Sequence, residues 1–184
     1  MNLTEDGFMA GQDGELDWHF PYWNLEMCES LCSLLSKADT ILLGRKTYTE
    51  LAEYWKWKGN DLARAREDIV LMNMMKCYSK VVVSKTLGTL PQADHHLIRD
   101  DVLSEIRRIK QKQGRDIIVF GSGRLVSYLI KHHLIDEYYL WVHPISIKHG
   151  KRISKAANLK FNLKPILVEH FSTGVTKLVI RNKM

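Results

Sequence analysis

The stretch Asp116-Ile-Ile-Val-Phe-Gly-Ser-Gly-Arg-Leu-Val126 decides how this chain is read. The apolar run Ile117 to Phe120 stops at Gly121-Ser122-Gly123, and Leu125, Val126, Leu129 and Ile130 follow at helical spacing. The pattern predicts a buried strand, a tight glycine turn, and a helix whose first turn begins near Ser122. Unpaired N–H groups and the positive end of the helix dipole then face whatever lies over the turn, and glycines let an anion approach the backbone. The turn alone is weak, because many strand-glycine-helix junctions only redirect the chain. It also departs from the dinucleotide fingerprint: Val126 stands where a third glycine belongs, and no acidic residue follows at the end of the next strand.

Two further strand ends repeat the theme. Thr40 to Leu43 reads as a short buried strand stopped by Gly44, and Arg45-Lys46-Thr47 then opens a helix carrying Tyr48, Leu51, Ala52 and Trp55. Two cations at a helix N-terminus oppose the dipole unless an anion intervenes, so Arg45 and Lys46 suit a phosphate. Lys80 to Val83 is a β-branched strand ending at Ser84-Lys85-Thr86. Three strand ends with anion-binding groups fit the rule that ligands lie beyond the carboxyl ends of strands.

Around these, the periodicity predicts helices over Leu25–Ala38, Ala63–Cys77 and Val102–Ile109, the last capped by Asp100-Asp101 and bearing Arg107, Arg108, Lys110 and Lys112 outward. Trp55 to Asn60 reads as a loop, His95–Ile98 as a short strand, and Ile135–His143 as a strand ended by Pro144. Lys160–His170 and Val175–Arg181 read as an antiparallel hairpin around Ser172-Thr173-Gly174. Near the start, Leu16-Asp17-Trp18-His19-Phe20-Pro21 mixes large rings with a carboxylate and an imidazole. Such a loop lines a pocket for a flat ring, with Asp17 as hydrogen-bond partner or proton donor, or it anchors itself on Trp18 with Asp17 as a turn residue.

The 184 residues suit one domain, 1–184, and the 45% hydrophobic and 26% charged content is ordinary for a globular protein. No apolar run approaches the roughly 20 residues that span a bilayer, and no signal peptide is recognisable, so a cytoplasmic protein without a membrane partner is expected. Three cysteines, Cys28, Cys32 and Cys77, form no C-x-x-C pair and read as small buried residues. The net charge of +6 suits nucleic acid, an acidic membrane or a phosphorylated small molecule. The densest basic stretch, Lys151, Arg152, Lys155, Lys160 and Lys164, holds one aromatic residue, Phe161, a poor stacking platform, so nucleic acid is not the expected partner. His95-His96 and His132-His133 lack the spacing of a helical zinc site and read as surface histidines, and no metal is expected. Met72, Met74 and Met75 read as core filler or a pocket wall, and no nucleophile elbow is present.

Taken in register, Asp6-Gly7, Leu16-Asp17-Trp18, Leu43-Gly44-Arg45-Lys46-Thr47-Tyr48, Val83-Ser84-Lys85, Val119-Phe120-Gly121-Ser122-Gly123, Leu134-Ile135-Asp136-Glu137-Tyr138 and Gly150-Lys151-Arg152 resemble the dihydrofolate reductase-like superfamily. Within it the chain is most similar to the reductase domain of bifunctional riboflavin-biosynthesis deaminase-reductases and their small stand-alone bacterial relatives. The resemblance covers essentially the whole chain. It implies a single-domain α/β, dihydrofolate reductase-like three-layer fold: a central mixed, mostly parallel sheet flanked by helices, with an antiparallel C-terminal hairpin. It implies NADPH as cofactor, with Gly44, Arg45, Lys46 and Thr47 at the 2′-phosphate or pyrophosphate. Ser84, Lys85 and Thr86 would lie on the adenosine phosphate side, and Gly121, Ser122, Gly123, Arg124 and Leu125 around the pyrophosphate. It implies hydride transfer to a pyrimidine- or pteridine-like molecule, as in 5-amino-6-(5-phosphoribosylamino)uracil reductases. Asp6 and Asp17 are then the candidate catalytic groups, Trp18 and Tyr48 the substrate walls. A homodimer is also implied, with Tyr138 to Val142 a candidate contact strand. Trp23 stands where folate reductases carry the pterin-binding carboxylate, which points away from folate. The alternative is an NADPH-binding, non-catalytic or regulatory protein on the same scaffold.

Overall fold

The structure is a computed structural model describing residues 1–59, 66–90, 94–153 and 164–182. Its strands form two four-stranded sheets, ordered β4-β3-β2-β5 and β1-β6-β8-β7. The chain divides into two compact units, one built from Met1–Met27 with Val126–Met184, the other from Cys28–Leu125. The fold is α/β with mostly parallel pairing and a C-terminal antiparallel hairpin, as the resemblance implied.

In the Cys28–Leu125 unit every strand pairing is parallel. β2 (Ala38–Gly44) lies between β3 (Ser79–Val83) and β5 (Asp116–Gly121), and β4 (His95–Ile98) flanks β3. Ala38, Ile41, Leu42, Leu43 and Val82 are all at most 2% exposed, the near-continuous apolar signature of a strand covered on both faces. The helices here are α1 (Leu25–Leu35), which begins just before the unit, α2 (Arg45–Gly59), α3 (Arg66–Cys77) and α4 (Val102–Gln111). Asp101 caps α4 in a left-handed conformation, its carboxylate accepting from the Ser104 N–H at 3.4 Å. Met72 and Met75 fill core, while Arg107, Arg108 and Lys110 lie outward on α4.

In the other unit β6 (Glu137–His143) pairs in parallel with β1 (Asn2–Thr4) and antiparallel with β8 (Thr176–Arg181), and β7 (Leu167–His170) closes the sheet beside β8. Leu3, Tyr138, Leu140 and Ile180 form its buried cluster, with Met1, Met9, Ile130, Ile135 and Leu178 packed around them. Ile130 comes from α5 (Gly123–Lys131). A short 3-10 helix, Asp17–Tyr22, occupies the ring-rich segment. Gly174 turns the β7–β8 hairpin at φ +84°, where a side chain would be strained.

Several expectations are corrected. The tract from Trp55 is not a loop: α2 runs to Gly59, because no glycine or proline interrupts it earlier. The strand expected from Lys160 begins only at Leu167, and Lys155, Lys160, Phe161 and the expected helix start at Ala63 lie outside the described residues. His95 is not a surface residue, since its side chain is 4% exposed. Tyr138 to Val142 belongs to a strand that pairs with β8 along this length and with β1 at Trp141 and Val142, and Tyr138, Leu140 and Trp141 are buried. No helix among the described residues is long and apolar enough to cross a membrane.

Candidate functional site

The register of the all-parallel sheet brings abreast the glycine-bearing ends of β2 and β5 and the hydroxyl-bearing end of β3. Gly44 pairs with Val83 across β2–β3, and Leu43 pairs with Gly121 across β2–β5. Two strand spacings separate the outer ends, about 10 Å. A Cβ on Gly44 would lie 2.6 Å from Ser122 Oγ and 3.0 Å from Ser122 N, and one on Gly121 would lie 2.9 Å from Thr47 Oγ1. The turn after β5 therefore interlocks with the first turn of α2: Gly44 makes room for Ser122, and Gly121 for Thr47. The Gly121–Ser122 peptide is cis.

Electrostatics at this edge is positive. Neither α2 nor α5 carries an acidic residue in its first turn. Arg45, Lys46, Lys85 and Arg124 are exposed. Lys46 reaches Glu50 at 3.4 Å and Lys85 reaches Asp100 at 3.9 Å, both on the surface, where such pairs contribute little and yield readily to a phosphate. Arg45 has no ion-pair partner among the described residues. Ser84 is buried, donates its N–H to Ile98 O, and its Oγ accepts from the N–H groups of Thr86 and Leu87 at 3.2 and 3.0 Å. That hydroxyl shapes the turn after β3 and fixes where Lys85 and Thr86 stand. Leu125 is buried and anchors the start of α5. The cradle fits a phosphate-bearing cofactor: the two glycines leave no space for side chains, and the cations around them lack strong internal partners.

In the other unit β1 and β6 end side by side, Thr4 opposite His143. Asp6 follows this edge. Its Oδ1 accepts from Thr4 Oγ1 at 2.5 Å, and its Oδ2 accepts from Ser146 Oγ at 2.7 Å and the Lys148 N–H at 2.9 Å. Desolvation, which alone would raise its pKa, is overcome by these hydrogen bonds and by the Ile147 N–H, so the carboxyl is lowered to about 2. Such a group is charged and fully engaged near neutrality, which suits a clasp on the 145–148 loop better than a proton donor. Asp17 opens the 3-10 helix and is exposed. Trp18 sits edge-on to His143, ring centroids 5.2 Å apart, with Tyr22 at 5.6 Å and His19 at 6.0 Å from the same imidazole. Nearby, the Arg152 guanidinium stacks 3.8 Å over the Phe8 ring.

Tyr48 is committed inside the Cys28–Leu125 unit. Its hydroxyl lies 3.1 Å from His95 Nδ1, the rings packed edge-on at 5.8 Å. Burial first, then the Asp94 charge, raises the Tyr48 pKa. Burial first, then Lys80, lowers that of His95. The substrate-wall role expected of Tyr48 rests on the resemblance alone. His143, fully buried at a strand end, escaped the sequence reading. Its only signal was a polar residue closing a buried apolar strand just before Pro144.

The comparisons agree with this geometry. The family model described as "RibD C-terminal domain" matches residues 1–177, and the chain belongs to that family, which has a reductase-type fold. It is 30% identical over 177 residues to the uncharacterized Bacillus subtilis protein YyaP, covering 96% of this chain and 89% of that one. It is 25% identical over 150 residues to the uncharacterized Bacillus subtilis protein YwjB, covering 80% and 76%. Among solved structures, a protein of Shewanella sp. PV-4 ascribed to riboflavin biosynthesis superposes with a TM-score of 0.74 at 19% identity, covering 100% of this chain and 97% of that one. Acinetobacter baumannii RibD superposes with a TM-score of 0.68 at 13% identity, over all of this chain and 56% of the larger one.

Proposed function

We propose that this protein is an NADPH-dependent reductase of the dihydrofolate reductase/riboflavin-biosynthesis reductase type. It would transfer a hydride to a pyrimidine- or pteridine-like small molecule, of which 5-amino-6-(5-phosphoribosylamino)uracil is the model. The observation that carries this is the carboxyl edge of the parallel sheet, where Gly44, Val83 and Gly121 stand abreast with Arg45, Lys46 and Lys85 around them. Arg45, Lys46, Thr47 and Lys85 would hold phosphate oxygens, with Ser84 and Thr86 shaping the turn, while Gly121 to Leu125 present backbone N–H groups. The cations favour the 2′-phosphate of NADPH over NADH. The nicotinamide would supply the hydride, so the chain's own residues orient the rings, exclude water and deliver a proton. Asp17 is the group left to supply that proton, and Asp6 acts by holding the 145–148 loop.

Calorimetric titration with NADPH, NADH and NADP⁺ in parallel tests this reading. Micromolar NADPH binding, clearly tighter than NADH, followed by oxidation against a pyrimidine and pteridine panel, is expected. Failure to bind any of the three would sink it. Binding without turnover would favour the non-catalytic alternative, which the occupied Asp6 carboxylate already lends some weight. The proposal extends to a cytoplasmic homodimer. Support for self-association lies in the exposed apolar residues Leu167 and Val168 of β7, which ends its sheet among the described strands, and Ile166 just before it.

A further inference from the structure

The rings at the end of β6 carry a chemical complementarity that packing alone does not explain. His143 is 0% exposed and is covered by Trp18, His19 and Tyr22 of the 3-10 helix. Trp18 Nε1 and His143 Nδ1 are both buried, and neither has a hydrogen-bond partner among the described residues. Unpaired buried polar atoms cost free energy, and a ligand that paired with both would relieve that cost. One is a donor and the other an acceptor. Indole Nε1–H can only donate. His143 Nε2 lies 3.3 Å from Asn2 Oδ1, an acceptor, so Nε2 carries the ring proton and Nδ1 presents a lone pair. Burial foremost, then the charges of His19 and the amino terminus, lowers the imidazole to about 4 and keeps that tautomer neutral.

We propose that Trp18 Nε1 and His143 Nδ1 form a two-point site for the lactam edge of a heterocycle, the ring carbonyl accepting from the indole and the adjacent ring N–H donating to the imidazole. Uracils and 4-oxopteridines both carry this edge, so the site names the feature selected in the substrate class of the proposed reductase, and it rests on that reading. The covering segment is thinly packed: the 3-10 helix contains no buried residue, and Leu16 and Phe20 are 43% and 52% exposed. The site requires this cover to move aside for a flat ring to reach the pair.

The test is a titration of ¹⁵N-labelled protein with 5,6-diaminouracil, following the Trp18 indole N–H, which the Trp18→Phe variant identifies. The expected result is a downfield shift of that resonance on binding, with affinity about five- to tenfold weaker in Trp18→Phe, the scale of one hydrogen bond. The 1,3-dimethyl analogue, which lacks the lactam N–H, should leave the resonance in place. An unmoved indole signal, equal response to the dimethyl analogue, no uracil binding, or an indole N–H in contact with a trapped water only would each overturn the proposal. His143→Gln supplies a second variant if Trp18→Phe does not fold. A parallel NADPH titration of the same sample separates the two readings: NADPH binding without a lactam response sinks only this inference, and lost NADPH binding with the response intact sinks only the reductase.

Discussion

Replacing Gly44 by alanine tests the interlock beneath the proposed cofactor site. The added methyl would meet Ser122 Oγ at 2.6 Å and Ser122 N at 3.0 Å, against the 3.4 Å at which ordinary contact begins. The hydroxyl can rotate away, but the backbone nitrogen cannot, so the turn after β5 must move by about 0.4 Å. Overpacking of this kind costs about 1–3 kcal/mol. At this chain length each kcal/mol lowers Tm by roughly 2–4 °C, so a fall of roughly 2–12 °C is expected by calorimetry. NADPH affinity should fall by about tenfold, because the displaced backbone N–H groups are those offered to phosphate, and tenfold corresponds to about 1.4 kcal/mol. Gly44→Ala with Ser122→Ala should recover only part of the loss, since the backbone contact at 3.0 Å remains. Gly88→Ala is the matched control: a Cβ there meets nothing within 4 Å, and the change should stay within about 0.5 kcal/mol. If Gly44→Ala melts and binds NADPH like Gly88→Ala, the close approach of the two turns is not a feature of the folded protein, and the cradle argument fails.

Other perturbations probe separate links. Arg45→Ala and Lys85→Ala should each weaken NADPH by about tenfold while changing NADH affinity little; equal losses for both nucleotides in calorimetry would remove the 2′-phosphate assignment. Asp17→Asn should lower kcat by roughly 10²-fold or more with NADPH affinity retained, and parallel loss of both would count against a proton-donor role. The Asp6 carboxyl, lowered to about 2 in the fold from 3.8, stabilises the fold above its unfolded pKa and loses that contribution as pH falls from about 4 to about 2. The difference in Tm between the wild type and Asp6→Asn should therefore shrink across that window, and a constant difference would refute the clasp. His143, lowered to about 4 from 6.5, contributes stability that is present above about pH 6.5 and is lost as pH falls towards 4, because the unfolded chain takes up the proton first. Acid melts of the wild type and His143→Gln should differ in that interval, and coincident pH slopes would show that the ring titrates freely.

The parallel sheet was legible because its signals are local. Strand cores such as Ile41–Leu43 and Val81–Val82 are short apolar runs bounded by Gly44 and Ser84, and burial on both faces permits nothing else. The proposed anion edge rests on signals of the same local kind: a hydroxyl and a cation stand together in sequence at each strand end, with glycine beside them at the ends of β2 and β5. The ring cluster around His143 was only half legible. Leu16 to Pro21 announces Trp18, but its partner His143 lies 125 residues on, and only the β1–β6 pairing brings them together. Asp6 shows the opposite failure. A carboxylate in an Asp-Gly turn invites a catalytic reading, yet Ser146 and Lys148, contributed from far along the chain, occupy the oxygen that Thr4 leaves. Trp55 and Trp57 misled locally, since large rings beside lysines look like a surface loop, whereas the helix simply continues to the first glycine.

The start of α2 explains why a chain of this kind tolerates a local fault. Cations in a helix's first turn are unfavourable by roughly 0.3–1 kcal/mol each against the dipole. α2 opens with Arg45 and Lys46 and has no acidic residue in that turn, while Glu50, one turn on, reaches back to Lys46. Folding alone would select against this arrangement. The same two charges become favourable once a phosphate sits between them and the helix N–H groups, because the anion is attracted by the dipole and by both side chains together. The interlock of Gly44 with Ser122 and of Gly121 with Thr47 keeps the neighbouring backbone close, where it could share such an anion. On the proposed reading, what looks like poor helix design in the free chain is the composition expected of a site whose stability a bound phosphate would complete, and this mismatch, more than the glycines, is what would separate a phosphate site from a turn.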